Sequence, residues 1–500
     1  LAQLCFIEPV DNKTMKYKRF LWLLLCLSQY YGSAQQLTPE QLRADFARFR
    51  TALNEVHPEM YRYTPKATFD SLFSIAAGRL TEPMTSHEFY VTMTPLLVAL
   101  RDGHVKWIPA GQDEHYPFQT NQLFPLKLYF LDQQAWVIAS YGLDSIPAGA
   151  ELTAINGQPI ATIIQRLLPQ MTFADGATNK AKYGDLNQFF SGYYATFVEA
   201  SPSFAVAYRL NEEDKITTLP AVTLDRIKNY VEAHKPATQP PFRLVFKDNR
   251  TAVMTLERFW SDKTEPDFRR FLKTSFRAIG QQGVQNLVLD LRNNEGGEEK
   301  YGVWLARYLS ESRFRYYDFI RVRQKKSYSF PAWTPKLYQQ LKWLLVRKKG
   351  SDYVFTAQKG LNSQRPRRAT FRGNLFVLIN GNSFSVTTEL AARLHADRGS
   401  RSGQTVFVGD ETGGGYAGNS SGIFTVTQLP HSKIDLGIPM FGFHMANLPA
   451  NRQPGQGIRP DHFVVPTVED VLTGNDRVMQ YTLELIRKAP QSTSAITATK

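Results

Sequence analysis

The 500 residues predict an α/β core preceded by a helical amino-terminal segment and a β-rich module. Three observations carry that reading. Thr38, Pro39 and Gln41 make a capping-box-like helix start, after which Leu42, Phe46, Phe49, Leu53 and Val56 recur at helical spacing. Short alternating segments such as Leu126-Lys127-Leu128-Tyr129-Phe130 follow, with Asn156-Gly157 as a turn. From about Phe242 to Ala489, apolar strands alternate with helical patterns, as a layered α/β core requires. A chain of 500 residues also exceeds what one hydrophobic core usually supports, so several domains are expected.

The amino terminus reads as a leader. Met15-Lys16-Tyr17-Lys18-Arg19 is basic, residues 20–27 are apolar, and Gly32-Ser33-Ala34 is a small-residue end that suits cleavage. Residues 1–34 are therefore expected to be an upstream extension and a signal peptide, and the protein to be exported, periplasmic or extracellular. Both cysteines, Cys5 and Cys26, fall inside that stretch, so the mature chain is expected to hold no disulfide. The expected domains are a helical one over 37–115, a β-rich one over 118–235 and the α/β core over 242–489, whose terminal helix starts at Arg477.

The formal charge of +14 is concentrated locally. Residues 321–372 carry fourteen Lys or Arg and one acid, Asp352, with Tyr328, Phe330, Trp333, Tyr338 and Trp343 interleaved. Such a stretch suits an anionic surface, but no nucleic-acid fold signature accompanies it, so nucleic acid is not the expected partner. It is read as a basic insertion forming a solvated cap or lid over the active site. The nine histidines are scattered without His-Glu-x-x-His spacing, so no metal and no cofactor are expected.

Two segments carry chemistry. Leu375-Phe376-Val377-Leu378-Ile379 is an apolar strand, Asn380-Gly381-Asn382 a turn, and Ser383-Phe384-Ser385-Val386 the opening of a helix. A serine there lies beside unpaired amides that can stabilise an oxyanion, although Ser383 or Ser385 could equally be an N-cap. In the second segment, Asn286-Leu287-Val288-Leu289-Asp290 runs into a loop containing Glu295, Gly296 and Gly297, where backbone amides can approach a ligand closely.

With the later Gly409-Asp410-Glu411-Thr412-Gly413-Gly414-Gly415, these segments resemble the tail-specific (C-terminal processing) serine proteases and the related tricorn core. The resemblance implies an α/β protease core with an amino-terminal helical domain and a PDZ-like β-rich domain. It also implies a peptide or protein substrate and hydrolysis through an acyl-enzyme on Ser385. The oxyanion donors would be Val386 with Gly296 or Gly297, and Glu295 should face away from them. Where the tail-specific branch has its lysine base this chain has Gly415, which cannot take a proton. Leu100-Arg101-Asp102-Gly103-His104-Val105 resembles the histidine segment of the tricorn-like branch, which makes His104 the candidate base and His444 the runner-up. The acid that orients the histidine has no counterpart in Arg452-Gln453-Pro454-Gly455-Gln456. Asp102, Asp461 and Glu389 are the alternatives, with a structural salt bridge as the favoured role for Glu389. The missing lysine and acid favour a competing reading, a catalytically inactive peptide-binding protein that keeps the fold.

Overall fold

The computed structural model describes residues 36–118, 120–449 and 455–488. The leader-like residues 1–34 and residues 452–454 lie outside them. Three helices, Pro39–Val56, Lys66–Gly78 and Ser86–Val98, form the amino-terminal layer. Thr38 and Gln41 close the expected capping box on the first, and Leu42, Phe46, Phe49, Leu53 and Val56 form its buried stripe. The segment does not end as helix. Its last residues make the strand Lys106–Pro109, which pairs antiparallel with Ile434–Met445 deep in the carboxy-terminal half.

A second unit is an antiparallel sheet ordered Leu126–Leu131, Gln134–Ser140, Glu151–Ile155, Ser203–Leu210 and Glu213–Pro220. The helix Lys180–Phe197 packs on it through Phe190 and Tyr194, against Phe124 and Phe204.

The core sheet runs Phe242–Phe246, Thr251–Leu256, Asn286–Asp290, Asn374–Ile379, Thr405–Gly409 and His462–Phe463. Its first pair is antiparallel and the rest are parallel. Central strands are apolar on both sides because both faces are covered. Leu287, Leu289, Leu375, Val377 and Ile379 face the main core, while Val288, Phe376 and Leu378 face the helix Arg477–Lys488 through Val478. The 286–290 and 374–379 strands are parallel neighbours, so the loops at their carboxyl ends must meet, the usual ligand position in such sheets.

A third, antiparallel sheet is ordered Val346–Lys349, Asp352–Phe355, Tyr317–Val322, Ile434–Met445 and Ser420–Gln428. Residues 321–372 thus supply the last residues of one strand, a helix over Lys336–Leu345 and an edge hairpin.

Candidate active site

The two loops expected to carry chemistry are laced together by their own side chains. Ser383 Oγ donates to the Leu291 carbonyl, Asn380 Nδ2 donates to Asn293 Oδ1, and the Asn293 amide donates to Asn380 Oδ1. Asn294 anchors the glycine loop, with Nδ2 donating to the Leu256 carbonyl and Oδ1 accepting from the Gly296 amide at 2.9 Å. Gly296 sits at φ +99°, and a Cβ on it would lie 2.7 Å from Ser385 Cβ, so the approach of the two loops requires a glycine there.

Ser385 occupies the N-cap position of the helix Val386–Asp397 but does not cap it. Its φ of 55° and ψ of −126° lie outside the ordinary regions for a non-glycine residue, a conformation that costs on the order of 1–3 kcal/mol. What the backbone gains is direction. The hydroxyl turns away from its own helix and meets His104 Nε2 at 3.0 Å. The two oxyanion candidates in the glycine loop separate here. The Gly296 amide is already engaged by Asn294, whereas the amides of Gly297 and Val386 make no hydrogen bond among the described residues.

His104 comes from the turn between the third helix and the 106–109 strand, whose pairing with the 434–445 strand fixes its position. It is 8 % exposed, and its ring stacks on Phe384 with centroids 4.7 Å apart. With Nε2 facing the serine hydroxyl, the ring proton belongs on Nδ1, which points to Asp102 Oδ1 at 3.7 Å. That separation exceeds a hydrogen bond, and Nδ1 has no other partner.

Behind the ring lies a cluster that local sequence patterns did not disclose. Asp102 Oδ1 accepts from the His104 amide and Oδ2 from His57 Nε2 at 2.9 Å. His57 Nδ1 accepts from the Glu59 amide, so its proton is on Nε2. Asp175 accepts from the amides of Gly103 and Gly415. Burial opposes the Asp102 charge, but the contacts with His104 and His57 outweigh it and hold the carboxyl well below its ordinary range. Asp175 goes the other way. Burial, with the nearby Asp102, raises it to about 6 against the attraction of His104. Asp102, His104 and Asp175 are the one group among the described residues with ligating atoms close enough for a metal ion. All four carboxylate oxygens, however, already accept hydrogen bonds from the chain.

The other candidates are elsewhere. His444 Nε2 bonds Glu59 Oε1 at 2.8 Å, and Asp461 pairs with Arg398 while accepting from the Phe407 amide. Among the described residues Glu389 makes no salt bridge, contrary to the expectation. It is fully buried and accepts from Tyr317 Oη and Asn419 Nδ2, and burial raises its carboxyl to about 8 despite those bonds. At Gly415 a Cβ would lie 2.7 Å from Tyr63 Oη, so any side chain there would have to displace the end of that tyrosine.

Ser385 and His104 open onto a cleft of about 510 Å³ lined by Phe173, Trp260, Glu295, Gly297 and Phe424 among others. None of its lining comes from residues 321–372, which reach it only behind the wall, where Gln358 Nε2 donates to Glu299 Oε2. That segment extends the far edge of the antiparallel sheet instead.

An α/β core, covered on both faces of its sheet, with a serine–histidine pair at the carboxyl ends of its parallel strands defines a class, the serine hydrolases. Residues 250–461 match the family described as peptidase family S41. That core carries an S41 peptidase domain, and the match supports a serine-type peptidase. Mature CPAF is similar in fold over 90% of this chain and 98% of its own, at 13% identity and a TM-score of 0.59. A point mutant of CPAF is similar over 90% and 98%, at 12% identity and a TM-score of 0.62. A putative peptidase from Parabacteroides merdae covers 90% of this chain and 97% of its own at 13% identity, with a TM-score of 0.46. No curated protein sequence matches the chain.

Proposed function

We propose that the protein is an exported serine endopeptidase of the tricorn-core-like branch, working through an acyl-enzyme on Ser385. One observation carries the reading, the 3.0 Å contact between Ser385 Oγ and His104 Nε2 across 281 residues of sequence. In the forward step Oγ attacks the substrate carbonyl carbon while His104 takes its proton. The Gly297 and Val386 amides receive the charge that develops on the carbonyl oxygen. His104 then returns the proton to the leaving amine, and a water repeats the sequence on the ester to free the acid and Ser385. Asp102 orients the ring and stabilises its charged form, closing the 3.7 Å gap to Nδ1 as the imidazolium forms.

A histidine base rather than a lysine fits the glycine at position 415, which cannot take a proton. The sheet over 126–220 is assigned a PDZ-like role in holding the peptide, and export rests on the basic, apolar and small-residue pattern of 15–34. Replacing Ser385 by Ala removes only a hydroxyl and is expected to abolish peptide hydrolysis without lowering Tm. Retained hydrolysis, with loss in Ser383→Ala instead, would move the nucleophile two residues upstream.

A further inference from the structure

Beside the Ser385 cleft lies a second, smaller cavity of about 180 Å³. Lys106, Phe173 and Glu295 line both, so a chain bound across Ser385 passes its mouth. At that size, well below that of the cleft, it suits one long side chain rather than a cofactor. The walls are aromatic, with Phe173, Phe189 and Tyr193.

The charges in the cavity do not balance. Lys106 Nζ is 2.9 Å from Glu114 Oε2. That leaves Asp185 and Glu295, which also line the cavity, with no ion-pair partner among the described residues. Asp185 is 5 % exposed, so its carboxylate is nearly withdrawn from water. Oδ2 accepts from Tyr193 Oη at 2.8 Å, while Oδ1 has no donor among the described residues and is left open to the cavity. A carboxylate so far withdrawn from bulk water, with one oxygen facing the cavity, favours a donor that enters there. Burial raises Asp185 to about 7, with Glu295 and Glu114 adding to the rise and Tyr193 and Lys106 opposing it.

We propose that this cavity is a specificity subsite for a basic side chain, arginine above all, on a substrate residue flanking the scissile bond. The guanidinium would supply the donors that Asp185 Oδ1 lacks and lie against the aromatic walls, and Glu295 at the rim would favour its entry. The proposal rests on the peptidase reading above and adds the substrate class. Nothing in the peptide chemistry at Ser385 requires Asp185, so the two can fail separately.

The test compares peptides that differ only in arginine, citrulline, norleucine or glutamate at each position flanking the cleaved bond, with fluorophosphonate labelling of the full chain run in parallel. Citrulline keeps the shape and removes the charge. Arginine is expected to exceed citrulline in kcat/KM by about tenfold or more at one of the two positions, the worth of a hydrogen bond to a charged group. Asp185→Asn should bring that ratio to within about twofold while turnover of the citrulline peptide persists. If Asp185→Asn does not fold, Glu295→Gln at the rim should still lower the ratio. Equal rates for arginine and citrulline at both positions, with labelling intact, would overturn the subsite and leave the peptidase reading standing. Absence of labelling would overturn both.

Discussion

The turn that carries Ser385 and the buried ground behind His104 are held in different ways. Around Ser385, short-range and cross-loop bonds from Asn293, Asn294, Asn380 and Ser383 fix two adjacent strand ends. Behind His104, Asp102 of its own turn is joined by residues 57 and 175, which only the folded chain brings there. The first arrangement sets where the nucleophile and the amides stand. The second sets the charge that the imidazole faces. A serine peptidase needs both, and here geometry is set by bonds between two neighbouring loops while the charge behind the imidazole is gathered from three segments.

The largest expected effect on the support behind His104 comes from Asp102. Asp102→Asn keeps the size but removes the charge that stabilises the protonated ring, and kcat should fall by about 10²- to 10⁴-fold while KM changes little. A near-normal kcat would mean that the ring is held by something else. A smaller effect is expected one step further out. His57→Ala frees Asp102 Oδ2 and should cost about tenfold in kcat, the worth of one hydrogen bond to a charged group. If Asp102→Asn is made first, the added loss on changing His57 should shrink, because the two act through one another.

These unequal supports explain what the sequence disclosed. The 286–290 and 374–379 strands were legible because both are unbroken apolar runs ended by turn residues, and Ser385, Gly297 and Val386 follow from where those runs stop. The choice between Gly296 and Gly297 was not legible, because it depends on the Asn294 side chain closing back on the Gly296 amide. His104 was visible only through its Asp-Gly-His neighbourhood. His57 and Asp175 had no local signal, since a histidine before Pro58 and an aspartate before Gly176 both read as turn residues. The helical reading of the amino-terminal segment also missed its final strand, which exists only by pairing with residues more than 300 positions away. The basic run was taken for a cap because charge marks solvent exposure, and exposure does not say which edge of which sheet is being extended.

The smallest effect expected is on stability, at Glu389, one turn along the helix from Ser385. Its carboxyl has an ordinary value of 4.5 and is held at about 8 in the folded chain, first by burial. The folded state therefore keeps a proton that the unfolded state has lost between those two values. Stability should fall as pH rises through that window, by at most about 1.4 kcal/mol per pH unit. Glu389→Gln abolishes the ionisation, so its Tm should gain on that of the parent chain steadily from pH 5 to pH 8. A constant Tm difference over that range would show that Glu389 titrates normally.

Labelling by a fluorophosphonate, followed by peptide mapping and timed in the parent chain and in His104→Ala, tests the central contact most directly. The account predicts an adduct on Ser385 and a labelling rate lower by orders of magnitude without the imidazole, because Oγ then has no base within reach. An adduct on another residue, or equal rates in the two proteins, would contradict it.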